Sequence, residues 1–395
     1  MASASPASAD INPRDNAFGF LRLFFASLVI VSHAPELIDG DFSREPMVML
    51  FGTVSLGDLA VDGFFIISGY LIVASFLKTG EIIPYLWRRI GRIYPGFIVA
   101  TLFSLFVVAP LAGTTLATQA EWSGMSILRI LLLQQPYLPD VFATNPITVL
   151  NGPMWTIAYE FRCYLLVILL AICGVFRKPS LVALLAVTFV VASQVLPAGF
   201  FEAVDTAIPH SPEIFGHLQP TLRLTGMFLA GSVFFLRPAL IPRKARHIQM
   251  AVAGLVACLC FAPIAEPGIA IFGSLLIFAV AFASRGGTIN RINARTDISY
   301  GVYLYAWPIG QLLVLYAPQL GVFAAGFATF LLAAAAGWAS WHLIERRALQ
   351  ASRHMNWPNR EWFKLPPSLL ANSGGHPRSS LKIGKDMIGR KEPAD

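Results

Sequence analysis

Long apolar runs separated by short polar segments repeat along the chain from residue 18 to residue 343. Each run is about 20 residues long, which is the length that an α-helix needs to cross the hydrocarbon core of a bilayer. The pattern predicts an all-α integral membrane protein with no separate soluble domain. About ten spans are predicted, near residues 18–37, 56–77, 93–112, 153–176, 180–199, 218–236, 248–264, 268–284, 298–317 and 320–343.

The segments outside these runs complete the predicted organisation. Residues 1–17 form a leader, residues 18–346 a single transmembrane domain, and residues 347–395 a basic tail rich in Pro, Gly and Ser. The composition of the tail predicts disorder. The stretch MSILRILLLQQ, within the connection 113–150, is too short to span and predicts an interfacial or re-entrant helix.

Composition and charge support the membrane interpretation and set an orientation. Of the 395 residues, 56% are hydrophobic and 13% are charged, whereas soluble domains carry about 25% charged residues. The loops opposite the N-terminus hold only Arg44 and Arg129, which predicts that both termini are cytoplasmic. The net charge of +7 therefore follows from topology, and no nucleic-acid partner is predicted. The loops on the N-terminal side hold Lys78, Arg88, Arg89, Arg92, Arg177, Lys178, Arg237, Arg243, Lys244, Arg246, Arg285, Arg291 and Arg295.

Two ionisable residues of the first span, Arg22 and His33, are the first functional candidates. They are eleven positions apart and so lie within roughly 20° of each other on one helix face. An ionisable group inside a membrane is costly unless it is paired or faces a polar cavity. Asp62 of the second span is the preferred carboxylate partner of His33, and Glu36 and Asp58 are the alternatives. A polar cluster that only locks helices together is the competing interpretation.

The predicted loop after the second span carries Arg88, Arg89 and Arg92, in YLWRRIGRIYP. Such a patch either anchors the inner surface or binds phosphate groups with its guanidinium forks. Within the second span, Gly69 suits close helix packing, and Ser68 is a candidate for lining a channel.

The fourth and ninth spans hold further candidates. Glu160 lies about two turns into the fourth span, where an unpaired carboxylate is costly. It either neutralises Arg162 or Arg223 or helps to position an acceptor. Trp155, at the start of the span, is either an interfacial aromatic or a binding residue. Tyr300 and Tyr303 of the ninth span suit hydrogen bonding to sugar hydroxyls, with aromatic packing as the alternative. The four cysteines show no CxxC spacing, and no metal site is predicted.

Six elements, in chain order, resemble the membrane-bound acyltransferase family 3, a bacterial group that O-acylates extracytoplasmic carbohydrates. The family's Arg–ten residues–His signature is matched by RLFFASLVIVSH, and its G-x-x-x-V-D-x-F-F-x-x-S-G-F/Y element by GDLAVDGFFIISGYL. The other four elements are similar to WRRIGRIYP, WTIAYEFRCY, ISYGVYLYAWP and SWHLIER. Ala306 departs from the pattern, because many relatives have a second His there. His33 is therefore expected to be the sole catalytic imidazole.

The resemblance implies transfer of an acyl group, most simply acetyl, from cytoplasmic acyl-CoA to a carbohydrate. It also implies a bacterial inner-membrane location and possible polysaccharide-assembly partners. Exopolysaccharide, lipopolysaccharide, lipid-linked sugars and secreted glycosides stay open as acceptors. The acyl group is acetyl, succinyl or longer, and it moves either directly or through a transient acyl-enzyme. The residues expected to act are His33 as base, oriented by Asp62; Arg22 on the donor or an oxyanion; Glu160 near the acceptor; Arg88, Arg89, Arg92 and Ser68 on the donor; and Trp155, Tyr300 and Tyr303 on the acceptor.

Two other functions fit the same residues. A proton-coupled transporter, or an exporter of a polysaccharide precursor or small acid, would use Arg22, His33, Asp62 and Glu160 as a relay. The sequence shows no inverted repeat, which argues against it. A non-catalytic subunit of polysaccharide assembly is the third possibility.

Overall fold

The computed structural model describes residues 16–115, 123–139, 141–208, 211–283, 287–355, 364–366 and 368–370. Within this part the chain is helical, and its one extended pairing is a single antiparallel bridge between Glu81 and Lys364. The predicted all-α class is confirmed. The predicted leader and most of the predicted tail lie outside the described residues.

In the described ranges, each predicted span overlaps one helix of fifteen residues or more. These helices are α1 (Phe18–Asp39), α2 (Leu56–Thr79), α3 (Ile82–Leu111), α4 (Thr156–Ile172), α5 (Pro179–Val195), α6 (Leu218–Leu236), α7 (Ala245–Leu259), α8 (Ala262–Ala283), α9 (Ser299–Tyr316) and α10 (Val322–Arg353). Shorter helices cover Pro46–Phe51, Ser123–Leu131, Ala198–Ala207 and Ser211–Phe215, and a 3₁₀ turn, Gly152–Trp155, leads into α4.

Six of these helices, α1, α2, α3, α4, α8 and α10, are long and apolar enough to cross a bilayer. A seventh crossing results if α5 and Ala198–Ala207 form one span that is broken by a 103° bend. The chain is therefore a multi-pass membrane protein. Crossing by the other long helices stays a prediction, as does the cytoplasmic placement of the termini.

Two helices extend beyond their predicted bounds. The prediction placed the arginine-rich segment in a loop and began the third span at residue 93, whereas α3 begins at Ile82. On these turns Arg89 packs against aromatic rings, and Arg92 against aromatic rings and carboxylates. A criterion based on apolar runs does not detect such packing. The tail was predicted to begin at residue 347, but helical structure continues to His354 through a π-helical turn, Trp341–Glu345.

Helix α2 packs against α1, α4 and α6. Its contact with α6 depends on two glycines. A Cβ at Gly69 would lie 1.8 Å from the carbonyl oxygen of Phe228, and one at Gly231 would lie 1.8 Å from that of Ile66. Small residues of this kind let two helix backbones approach closely inside a membrane. The face of α2 that meets α1 and α4 is thereby held in a fixed position.

The segment 141–151 has no regular secondary structure, and side chains satisfy its backbone against α9. Gln311 Nε2 donates to the carbonyl of Ile147 at 2.8 Å, and Asn145 Nδ2 donates to Gln311 Oε1 at 2.8 Å. Asn151 Nδ2 donates to the carbonyl of Leu304 at 2.9 Å. Irregular backbone that packs against a helix needs such partners for its buried polar groups. It fixes the following turn, and with it Pro153, against α9.

Candidate active site

A cavity of about 300 Å³ lies between α1, α2, α3, α4, α9 and α10. We call it the central cavity. One part of its wall is arginine-rich, and the rest is apolar with a few hydroxyl groups and one glutamate. The polar and charged residues that line it are Arg22, Ser68, Arg89, Arg92, Thr156, Glu160, Tyr164, Asp297, Ser299, Tyr300, Tyr303 and Arg353.

Two of the arginines share one carboxylate. Arg22 Nη1 lies 2.8 Å, and Arg92 Nη2 lies 2.6 Å, from the same Asp297 Oδ2. The other oxygen, Oδ1, accepts from Ser299 Oγ at 2.5 Å and from Asn293 Nδ2 at 3.1 Å. Asp297 thus joins α1 to α3 at the start of α9.

The environment of Asp297 keeps this carboxylate ionised. Burial is the largest single effect and raises its pKa, whereas the charges of Arg22 and Arg92 lower it. The hydrogen bonds from Ser299 and Asn293 act in the same direction as the arginines. Together they hold the pKa of Asp297 well below its usual range.

Arg92 has a second carboxylate partner and two aromatic neighbours. Its Nη1 lies 3.5 Å from Oε2 of the buried Glu345. Its guanidinium carbon lies 5.5 Å from the ring centroid of Tyr300 and 5.7 Å from that of Trp341. Trp341 and Glu345 begin and end the π-helical turn of α10, so this widened turn brings both side chains to Arg92.

Arg89 and Arg353 have no salt-bridge partner among the described residues. The guanidinium of Arg89 lies 5.8 Å from the ring centroids of both Tyr85 and Tyr164. Arg353 is an exposed residue at the end of α10. The central cavity therefore carries positive charge that its carboxylates do not balance. Arg88, which was predicted to act with Arg89 and Arg92, does not line this cavity.

Glu160 and Ser68 meet in the wall of the central cavity. Ser68 Oγ donates to Glu160 Oε1 at 3.0 Å, and the Tyr164 hydroxyl donates to the same oxygen at 2.6 Å. These two hydrogen bonds provide partners for the Glu160 carboxylate. Glu160 was a candidate because an unpaired carboxylate inside a membrane is costly. Sequence reasoning selected Ser68 and Glu160 separately and did not predict their contact.

Tyr303, Thr156 and Pro153 form a hydrogen-bonded group at another part of the wall. The hydroxyl of Tyr303 donates to the carbonyl of Pro153 at 2.8 Å and lies 2.7 Å from Thr156 Oγ1. Tyr300 also lines the cavity, and its hydroxyl donates to the carbonyl of Ile93 at 2.9 Å. Both tyrosines predicted to bind acceptor are thus in the central cavity.

His33 lies outside the central cavity and lines a much smaller one, of about 20 Å³. Its Nδ1 lies 2.6 Å from Glu36 Oε2, one turn later on α1. Its ring meets that of Trp307 edge-on, with centroids 5.0 Å apart. When the carboxylate accepts from Nδ1–H, the lone pair is on Nε2, which is the arrangement that a general base needs.

The prediction that Asp62 is the carboxylate partner of His33 was wrong. The alternative, Glu36, is the carboxylate that contacts His33. Asp62 faces α6, where its Oδ1 lies 3.1 Å from Arg223 Nε. Arg223 also binds Asp58, at 2.9 Å from Nη1, and Glu266, at 3.3 Å from Nε. The reason is geometric: a residue three positions later on the same helix is always within reach, whereas Asp62 is turned by α2 toward another neighbour.

The small cavity at His33 lies between two larger ones along α9. The central cavity reaches Tyr303, the small cavity reaches Ala306, Trp307 and Gly310, and a third begins at Leu313. This third cavity, which we call the distal cavity, has a volume of about 350 Å³. It shares with the small cavity the lining residues Ile38, Val314 and Ala325.

Trp155 lies away from this series. It lines none of the three cavities in the described part of the chain. Its ring is 38% exposed and packs edge-on against Tyr159, with centroids 5.3 Å apart. Its predicted role in acceptor binding therefore has no support from its position.

Four residues of this region were missed by sequence reasoning: Asp297, Thr156, Trp307 and Arg353. A signal existed for Asp297, because it comes directly before ISYG, at the start of the ninth span. A carboxylate at the inner end of a span is a natural partner for the basic residues of neighbouring spans. Its partners could not be identified from sequence, since Arg22 lies 275 residues earlier.

Comparisons with known proteins identify the family of the chain. A family model described as an acyltransferase domain matches residues 15–342. Over 347 residues the chain is 27% identical to an O-acetyl transferase of Shigella phage Sf6, covering 86% of this chain and 97% of that protein. It is 25% identical over 326 residues to nodulation protein 10 of Rhizobium leguminosarum bv. viciae, covering 76% and 84% of the two chains.

A shorter match is to acyltransferase MdmB of Streptomyces mycarofaciens, which is 31% identical over 147 residues. It covers 37% of this chain and 36% of the relative. No solved structure matches the chain significantly.

Proposed function

Because the chain belongs to the acyltransferase family 3, as its motifs predicted, we propose a donor, an acceptor and a direction for the acyl transfer that it catalyses. The enzyme moves an acyl group, most simply acetyl, from cytoplasmic acyl-CoA to a hydroxyl of a carbohydrate on the other side of the bacterial inner membrane. One observation carries the proposal: three cavities follow one another along α9, with arginines lining the first and His33 lining the second.

The arginine-rich part of the central cavity is the site for the phosphate groups of the donor. Arg89 and Arg353 supply charge that no carboxylate balances, and guanidinium groups bind phosphate oxygens in bidentate fashion. Arg22 and Arg92 are neutralised by Asp297 and Glu345, and they shape the site. The positive-inside asymmetry predicts that this end faces the cytoplasm.

The rest of the central cavity suits the uncharged arm of the donor. Its wall there includes Val61, Phe64 and Ile157, with Ser68 and Glu160 as polar groups. A carboxylate that already accepts two bonds at Oε1 still offers Oε2 to an amide N–H of the arm. The arm would lead from the arginines toward Thr156 and Tyr303, and so toward His33.

The chemical step takes place at His33. Its Nε2 removes the proton from the acceptor hydroxyl as the oxygen attacks the thioester carbonyl carbon. A C–O bond forms, the C–S bond breaks, and the departing thiolate takes the proton from the imidazolium. Glu36 holds the tautomer and stabilises the imidazolium that forms transiently. A positioned base of this kind contributes about 10²–10⁴-fold to the rate.

The tetrahedral intermediate needs a hydrogen-bond donor for its oxyanion. The hydroxyls of Tyr303 and Thr156 line the central cavity and donate to the carbonyl of Pro153, which lines the cavity at His33. Either hydroxyl would serve as the donor by turning from Pro153 to the oxyanion. Arg22 is a poor candidate, because it lies eleven residues from His33 on one helix, about 16 Å away. Arg22 was expected to act either on the donor or on an oxyanion, and its position supports the role on the donor.

The acceptor hydroxyl would reach His33 from the distal cavity, which shares three lining residues with the cavity at His33. The transporter alternative gains no support from the same geometry. A relay needs hydrogen-bonded neighbours, yet Asp62 binds Arg223 and Glu160 binds Ser68 and Tyr164.

Purified enzyme with radiolabelled acetyl-CoA tests this proposal, by following label released as acetate or transferred to a saccharide mixture. Wild type is expected to release or transfer the label, and the rate for His33→Ala is expected to be at least about 10²-fold lower. His217→Ala is the matched control, because His217 also pairs with a carboxylate, Asp205, at 2.9 Å but lines none of the three cavities. Equal rates for wild type and His33→Ala would overturn the proposal.

A further inference from the structure

The cavity at His33 is far smaller than its two neighbours, at about 20 Å³ against 300 and 350 Å³. A space of this size admits one group about as large as a water molecule or a methyl. Its wall is tightly packed: Val29, Ile30, Ala306 and Thr329 are all buried.

The geometry points to this cavity as the pocket for the acyl group, so that the enzyme selects acetyl over longer acyl groups by size. The inference rests on the proposed acyl transfer and adds a specificity site to it. The thioester carbon must lie beside the hydroxyl that His33 deprotonates, and its sulfur must point back to the central cavity. The acyl chain then points into the space at His33.

A longer acyl chain that continued along α9 would pass Ile38 and Val314 into the distal cavity. That is the space through which the acceptor reaches His33. A butyryl chain would therefore compete with the acceptor as well as strain the wall.

The residues that limit the volume of the cavity at His33 lie on α1, α9 and α10. Ala306 of α9 lies one turn after Tyr303, at the position where the family motif often has histidine. A Cβ at Gly310 would lie 2.8 Å from Leu37 Cδ1, and one at Gly326 would lie 3.3 Å from the Cβ of Ala34. The glycines thus let α9 and α10 pack closely against α1 around the cavity, and Val29 lines it from α1.

Charge adds a second criterion. The residues lining this cavity, all of them in the described part of the chain, include no lysine or arginine, and Glu36 is bound to the His33 ring. This cavity offers a carboxylate at the far end of an acyl group no lysine or arginine to pair with. Succinyl groups are therefore rejected by charge and by size.

The test compares kcat/KM for acetyl-, propionyl-, butyryl- and succinyl-CoA. Wild type is expected to prefer acetyl over propionyl by about 10–200-fold, the range for one extra methylene in a tight pocket. Val29→Ala should reduce that preference by about tenfold or more, and Ala306→Val should lower acetyl transfer while CoA still binds. Val31→Ala is the matched control, since it makes the same change on α1 at a 43% exposed side chain.

The outcomes separate this inference from the proposed function. If wild type uses acetyl-CoA but accepts butyryl-CoA equally well, the size selection is wrong and the acyl transfer stands. The same holds if Val29→Ala and Val31→Ala shift the preference equally. Turnover of none of the four donors would contradict the proposed function as well.

Discussion

Arg22, in the first turns of α1, is bound at 2.8 Å by Asp297, which lies directly before α9. The same oxygen of Asp297 binds Arg92 of α3 at 2.6 Å. One carboxylate thus gathers three segments of the chain around the arginine-rich part of the central cavity. The relative positions of α1, α3 and the start of α9 depend on it.

Replacing Asp297 should therefore affect both stability and donor binding. Asp297→Asn keeps the shape but leaves two guanidinium groups without their shared charge. We expect a loss of about 3 kcal/mol, the lower end of the range for a broken buried pair, because the side chain is 19% exposed. Thermal unfolding in detergent measures the loss. Asp41→Asn, on an exposed loop, should leave Tm unchanged, and equal behaviour of the two variants would contradict the structural role.

The partner of His33 gives a second prediction. Glu36→Gln should lower kcat by about 10²-fold, because the amide no longer stabilises the imidazolium. Asp62→Asn should act on stability instead, since Asp62 binds Arg223. Steady-state kinetics on folded protein distinguishes the two. A large kcat effect in Asp62→Asn, with Glu36→Gln near wild type, would restore the partner that the sequence favoured.

The close approach of α2 and α6 gives a third prediction. Gly69→Ala should cost about 3 kcal/mol or more, because the new methyl cannot fit beside the carbonyl of Phe228 without helix movement. Gly199→Ala is the control, since a Cβ there meets nothing within 4 Å. Yield of monodisperse protein and Tm measure both variants. A stable Gly69→Ala protein would show that this contact is looser than the geometry indicates.

The orientation of the chain gives a fourth prediction. The positive-inside asymmetry places the C-terminus in the cytoplasm. A reporter fused to the C-terminus that is active only in the cytoplasm should therefore be active, and one active only in the periplasm should be silent. The opposite pattern would place the arginine-rich part of the central cavity on the acceptor side and reverse the proposed direction of transfer.

The helices could be predicted because their signal is local. An apolar run of about 20 residues must bury itself whatever its neighbours are, and each predicted span overlaps a long helix. Helix ends were less predictable where packing extends them. The turns that carry Arg89 and Arg92 are amphipathic, and a search for apolar runs stops before them.

The contacts between helices could not be predicted in the same way. The sequence shows that Arg22 and His33 share a face, but the helix that meets this face depends on the whole bundle. Asp62 illustrates the limit, since its spacing suited His33 while packing turned it toward Arg223. Asp297 is the opposite case, because the sequence did not single it out. Its role follows from the packing of α1, α3 and α9, which brings two arginines to it.

Equilibrium binding of CoA to two purified variants tests the central claim, that donor binding and base catalysis occupy separate places along one path. His33→Ala should bind CoA as wild type does while transfer is lost. Arg89→Ala should bind CoA about 10–100-fold more weakly, the loss expected for a hydrogen bond to a charged group, whereas Arg237→Ala, at an exposed site, should not. Loss of CoA binding in His33→Ala together with full binding in Arg89→Ala would contradict the account.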